Sequence, residues 1–189
     1  TVFGLIELVI FVQTVRPGDA GFDKAHLQQL FGHTLPIAAA LIGLSFVSRT
    51  TAVPVGLFEF ALILTLFLLG SVLRVLAVYQ LGRVAFKFDI VFRDEQRLMT
   101  EKLYRLMRHP TYTAMMLVIL AYARTTHSLA AGLLGLLSAW VGFQYRIHHE
   151  EKALEECFGE NYRKYRAGTG MWWPRWKRAP EGEGWINEE

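Results

Sequence analysis

One feature limits this chain more than any other: residues 53–81 form a nearly unbroken apolar run, VPVGLFEFALILTLFLLGSVLRVLAVYQL. It is longer than the roughly 20 residues a helix needs to cross a hydrocarbon core. Further apolar runs lie at 1–15, 34–47, 112–123 and 129–143, separated by short polar breaks. Lipid offers backbone amides no partners, so segments of this kind span as helices. The expected fold class is all-α, an integral membrane helical bundle of about five transmembrane helices. The last two runs are short and are divided only by Arg124-Thr125-Thr126-His127-Ser128, which predicts a C-terminal helical hairpin. A composition 52% hydrophobic and 13% aromatic, with mean hydropathy +0.25, is too apolar for an ordinary soluble domain of 189 residues. A single domain is expected over 1–189, with N-terminal membrane helices at 1–81, a mixed region and hairpin at 82–170, and an aromatic, polar tail at 171–189. The chain opens inside an apolar run without a cleavable signal pattern, and its natural start is expected further upstream.

The net charge is +3 and the isoelectric point about 9.1. Basic residues lie between apolar runs and at the end of the chain, which points to membrane lipids as partners and away from nucleic acid. They concentrate in residues 82–109, from Arg83 to Arg108, whereas the breaks near Arg49 and Arg124 carry one each. The positive-inside rule therefore places 82–109 and the C-terminal tail on the cytoplasmic side. Cys157 is the only cysteine, so an internal disulfide is excluded.

Two stretches carry candidate chemistry. Arg108-His109-Pro110-Thr111-Tyr112 stands before the run AMMLVILAYA, and Pro110 suits the first turn of a helix because its missing N–H has no partner there. A helix start at the interface offers amide groups and partial positive charge to a carboxylate or phosphate. The alternative is an interfacial anchor, with Arg108 snorkelling to headgroups and Tyr112 in the aromatic belt. In the second stretch, Arg146-Ile147-His148-His149-Glu150-Glu151, Arg146 and Glu150 are four apart and share one helix face. That face presents a guanidinium suited to a carboxylate and an acceptor suited to an ammonium. Glu151 is turned away from it, and no ligand spacing supports a metal site. Arg74, two turns before the end of a membrane helix, either snorkels or lines a cavity. The tail Met171-Trp172-Trp173-Pro174-Arg175-Trp176 reads as an interfacial belt, with a lid as the alternative.

Three blocks in order, between residues 70 and 165, carry a family resemblance. They are Leu73-Arg74 with Leu81-Gly82; Leu98-Met99-Thr100-Glu101-Lys102-Leu103-Tyr104 continuing to RHPTY; and Arg146 with Glu150-Glu151, Leu154, Phe158-Gly159, Tyr162 and Tyr165. The chain resembles the isoprenylcysteine carboxyl methyltransferases and the related membrane phospholipid methyltransferases. The resemblance implies S-adenosyl-L-methionine as cofactor, bound on the cytoplasmic side in the region 82–170, and a lipophilic, for example prenylated, acceptor. Cofactor contacts then fall on Gln96, Arg97, Leu98, Met99, Tyr104, His109, Pro110, Thr111, Tyr112 and Glu150. Arg146 and Glu150 take the catalytic roles, and Arg146 and Arg74 meet the substrate. Gln96, Lys102 and Ala114 stand where the family usually carries His, Gly and Gly. Amine methylation of a phospholipid, and a nicotinamide-dependent reaction like that of membrane sterol reductases, are the competing functions; after RHPxY such reductases usually carry a glycine and an acidic residue, where this chain has Ala114-Met115.

Overall fold

A computed structural model describes residues 30–51, 53–85 and 98–175, with Leu5, Ile6, Val9 and Gln28 as isolated positions. The expected first run at 1–15 lies largely outside the described residues. Among the described residues every regular element is helical, and an isolated bridge joins Met107 to Gly170.

A single π-helical turn, Leu30–Thr34, leads into helix α1, Leu35–Thr50, which Pro36 helps to start. Helix α2 covers Leu57–Ala85, and a one-turn helix α3 covers Leu103–Leu106. Helices α4, Pro110–Arg124, and α5, Leu129–Gly168, form the expected hairpin. Ser128 caps α5, its hydroxyl accepting the N–H of Ala131 at 3.3 Å. Among the described residues two helical stretches, Phe31–Thr50 and Leu57–Leu81, are long and apolar enough to cross a membrane.

Helix α2 exposes Leu57, Phe58, Leu68, Leu69, Val72 and Tyr79, side chains that only an apolar surrounding would leave without cost. Its inner face packs on α4, where Gly70 allows close approach: a Cβ there would sit 2.8 Å from the Ala114 carbonyl oxygen and from Val118 Cγ2. Gly135 similarly receives Leu44, and Gly142 lies against His33 O and Ile37. Small residues at such crossings let helices meet through van der Waals contact, because the hydrophobic effect gives no drive between helices in lipid. The core joins Ile37, Ala40 and Leu44 of α1 to Tyr112, Ile119 and Ala123 of α4 and Ala139, Phe143 and Ile147 of α5. At one end of the bundle, Ser48 and Thr51 donate to the carbonyls of Thr125 and Thr126 at 3.1 and 2.6 Å, and Arg124 pairs with Glu59. The candidate chemistry gathers at the other end.

Helix α5 continues well past its apolar half. Gly159 (φ 52°, ψ −123°) breaks the helical backbone, and the residues after it turn Tyr162 and Tyr165 into the protein. Only glycine adopts that backbone without strain. Residues 169–172 then lie as a strap across the start of α4. The strap carbonyls of Gly170 and Met171 accept the N–H groups of Arg108 and His109 at 2.8 and 3.1 Å.

Candidate active site at the start of the helical hairpin

Helix α4 begins at Pro110 as the sequence predicts, with His109 at its N-cap. Its first turn is buried rather than interfacial: His109 is 5% exposed, Tyr112 7% and Thr111 8%. Arg108 does not snorkel to headgroups. Its Nε donates to Glu151 Oε1 at 2.8 Å, while its Nη1 donates to the carbonyls of Arg166, at 3.1 Å, and Thr169. The strap takes the leading amides of Arg108 and His109, and Tyr112 N–H returns to His109 O at 3.1 Å. The anion seat expected at this helix start is therefore largely filled by the chain itself.

The centre of the cluster is Glu150. Its Oε1 accepts the Tyr112 hydroxyl at 2.6 Å and Arg146 Nε at 2.8 Å, and its Oε2 faces His109 Nδ1 at 3.7 Å. Burial opposes ionisation of Glu150. Arg146, His109 and the two hydrogen bonds from Tyr112 and Arg146 together outweigh that penalty, and the carboxyl lies below its usual range. Arg146 is itself 4% exposed, so this pair is unlike a surface i,i+4 bridge. On the far side of His109, Nε2 meets Glu151 Oε1 at 3.1 Å. Burial raises the Glu151 carboxyl, but hydrogen bonds from His109 and Arg108 win and hold it at about 2. The α4 start and α5 are thus joined by a chain of side-chain contacts, Arg108–Glu151–His109–Glu150–Arg146.

Arg74 of α2 is 5% exposed and buried in the protein, so it does not snorkel to headgroups. It lies within electrostatic reach of Tyr104 and Tyr112. Tyr104 donates its hydroxyl to Ala77 O at 3.3 Å, and its carbonyl accepts the Tyr165 hydroxyl at 2.6 Å. Leu98 and Met99 are half-buried in coil, and no described hydrogen bond or ion pair joins them to the cluster; Gln96 and Arg97 lie outside the described residues. Trp172 is half-buried against the protein, while Trp173 is 67% exposed and Trp176 lies outside the described residues. The Trp172 indole N–H donates to Gln144 at 3.2 Å, its ring lies 6.2 Å from Phe143, and its carbonyl accepts the Thr113 hydroxyl at 2.8 Å.

Sequence reasoning overlooked Glu151, because a straight helix turns it from the Arg146 face; it is the α4 start that comes round to meet it. Tyr162 and Tyr165 stood in the matched third block without a role. They were legible as apolar partners once Gly159 is taken as a turn. Lys102 shows the cost of a departure from the family pattern. It has φ 55° and ψ −121°, a backbone that favours glycine, at the position where the resembled family carries glycine. Lys102→Gly is expected to stabilise the protein by about 1 kcal/mol, read as a raised thermal midpoint in detergent.

The family model of the Isoprenylcysteine carboxyl methyltransferase (ICMT) family matches residues 62–156, which hold most of α2, the buried α4 start, Arg146 and Glu150. The chain belongs to this family. It is 29% identical to Protein-S-isoprenylcysteine O-methyltransferase B of Arabidopsis thaliana over 126 residues, 66% of this chain and 58% of that protein. Over 99 residues it is 31% identical to Protein-S-isoprenylcysteine O-methyltransferase of Schizosaccharomyces pombe, covering 52% of this chain and 42% of the relative. Methanethiol S-methyltransferase of Pseudomonas deceptionensis is 33% identical over 81 residues, covering 43% and 30%. The chain spans a little over half the length of the plant methyltransferase it matches. These relatives are named for O-methyl transfer to isoprenylcysteine and for S-methyl transfer to methanethiol.

Proposed function

We propose that this protein is an S-adenosylmethionine-dependent membrane methyltransferase that esterifies the carboxylate of a prenylated cysteine at the cytoplasmic membrane face. The observation that carries the reading is the meeting of His109 and Glu150, from opposite arms of the hairpin, at 3.7 Å. About five membrane helices, with 82–109 and the tail on the inner side, complete the picture.

The residues present fit the donor. Bound S-adenosylmethionine supplies a methyl group already activated on a sulfonium, so no metal or strong base is needed. Glu150 holds its Oε1 in the Tyr112 and Arg146 hydrogen bonds, which leaves Oε2 to receive an ammonium. The rings of Tyr112 and Phe143, 5.4 Å apart, offer faces to a cation. Arg146 orients an acceptor carboxylate, and the burial of Arg146, His109 and Tyr112 keeps water from that side of the attacking oxygen. An acceptor carboxylate that Arg146 holds in line would take the donor's methyl group as a methyl ester. No proton moves, and the ester is neutral.

Purified protein is to be incubated with methyl-labelled S-adenosylmethionine and, separately, a prenylcysteine, a phosphatidylethanolamine and a small thiol. Label that appears on the prenylcysteine and is released as volatile methanol by base is the expected result. Base-stable label on the amine or the thiol would replace the carboxylate with that acceptor. Binding of NADPH in place of the methyl donor would sink methyl transfer altogether.

A further inference from the structure

His33 is the polar group that the site described above does not absorb. It occupies the π-helical turn Leu30–Thr34 at the head of Phe31–Thr50, one of the two described stretches long and apolar enough to cross a membrane. Single π turns are energetically inferior to α-helix and recur at functional sites. Among the described residues both its ring nitrogens are buried and neither has a hydrogen-bond partner. Two orphaned nitrogens on one imidazole are costly inside a protein, and an ionisable side chain at membrane depth is rarely kept without use.

Its position indicates what it faces. The ring centroid lies 6.4 Å from that of Tyr112 and 6.4 Å from that of Phe143. Arg146, Glu150 and Arg74 are all within electrostatic range of it. Glu150 is a single carboxylate set against two guanidinium groups, so the charge around the imidazole is positive on balance. An uncharged imidazole presents one N–H and one lone pair, and beside two guanidinium groups its N–H suits an anion. The helix that carries His33 is one of the two with the length and apolarity to cross lipid, the route by which a lipophilic molecule reaches the cluster.

We propose that His33 binds the carboxylate of the methyl acceptor, its N–H and the Arg146 guanidinium gripping that group from two helices, and that it makes the site selective for acid-bearing acceptors. This rests on the methyltransferase reading. The test uses wild-type protein, His33→Phe, which keeps a ring and removes both nitrogens, and His33→Gln, which keeps an N–H donor. N-acetyl-S-farnesylcysteine and its carboxamide are compared as ligands by equilibrium binding, with labelled S-adenosylmethionine bound in parallel as a check on fold.

Wild-type protein is expected to prefer the carboxylate over the carboxamide by about tenfold or more. His33→Phe is expected to lose most of that preference and to raise the acceptor KM with kcat changed far less, whereas His33→Gln retains part of the preference. Donor affinity stays within about twofold in both variants. An undiminished preference in His33→Phe overturns the assignment. So does a parallel loss of donor affinity in the soundly folded His33→Gln protein, which would move His33 to the carboxylate of the donor. Wild-type protein that binds neither the donor nor the prenylcysteine would sink the methyltransferase reading itself, and this inference with it.

Discussion

Glu150→Ala is expected to reduce binding of labelled S-adenosylmethionine by about a hundredfold, with methyl transfer falling below detection. The carboxylate is the one group that Tyr112, Arg146 and His109 all face, at 2.6, 2.8 and 3.7 Å. Its removal takes an acceptor from the donor's ammonium and, at the same time, the charged partner from an arginine that is 4% exposed. Breaking a buried ion pair from one side costs about 3 kcal/mol or more, so the alanine variant is also expected to melt at lower temperature. Glu150→Gln separates the two effects. Its amide oxygen still accepts from Tyr112 and Arg146, so the fold is expected to survive, while the lost charge weakens donor binding by about tenfold. Unchanged donor affinity in a folded Glu150→Gln or Glu150→Ala protein would remove Glu150 from the site.

The second large effect falls on Glu151, through the strap rather than the chemistry. Its carboxylate joins Arg108, at 2.8 Å, to His109, at 3.1 Å, and Arg108 in turn clasps the carbonyls of Arg166 and Thr169. Glu151→Gln is expected to cost roughly 2 kcal/mol and to loosen residues 169–172 from the α4 start. Faster hydrogen exchange at Arg108 and His109, whose amides the strap holds, is the direct readout.

The same carboxylate sets a pH dependence. It is held at about 2 in the folded protein against an ordinary value of 4.5. Above pH 4.5 it is ionised whether the chain is folded or not, and its contribution is complete. As pH falls from about 4.5 towards 2 the unfolded chain takes up the proton first, and that contribution drains away. Strap exchange is therefore expected to quicken across this window in the wild type, while Glu151→Gln shows none of the Glu151-dependent part.

Much of this was legible along the chain. Pro110 marked the start of α4 because proline's fixed φ and absent N–H fit only a first turn, and the start is where the sequence places it. The spacing of Arg146 and Glu150 put them on one face, and they are joined at 2.8 Å. The polar break 124–128 announced the hairpin. What could not be read were partnerships between distant stretches. Glu151 looks like the solvated neighbour of Glu150, and Tyr112 like a belt residue. Trp172 reads as an anchor until it is found on Phe143 and Gln144.

By itself, then, the sequence determined that the chain is helical, that it belongs in lipid, and which residue types stand at the ends of its hairpin. Those properties follow from hydropathy, helical period and local backbone limits, each set within a few residues. Only the tertiary structure decided that the strap closes over the α4 start, that Glu151 joins Arg108 to His109, and that His33 is brought beside Tyr112 and Phe143. Such contacts join positions tens of residues apart through glycine-permitted crossings and one broken helix at Gly159. Their energy lies in the burial and pairing of side chains, which no spacing along the chain records.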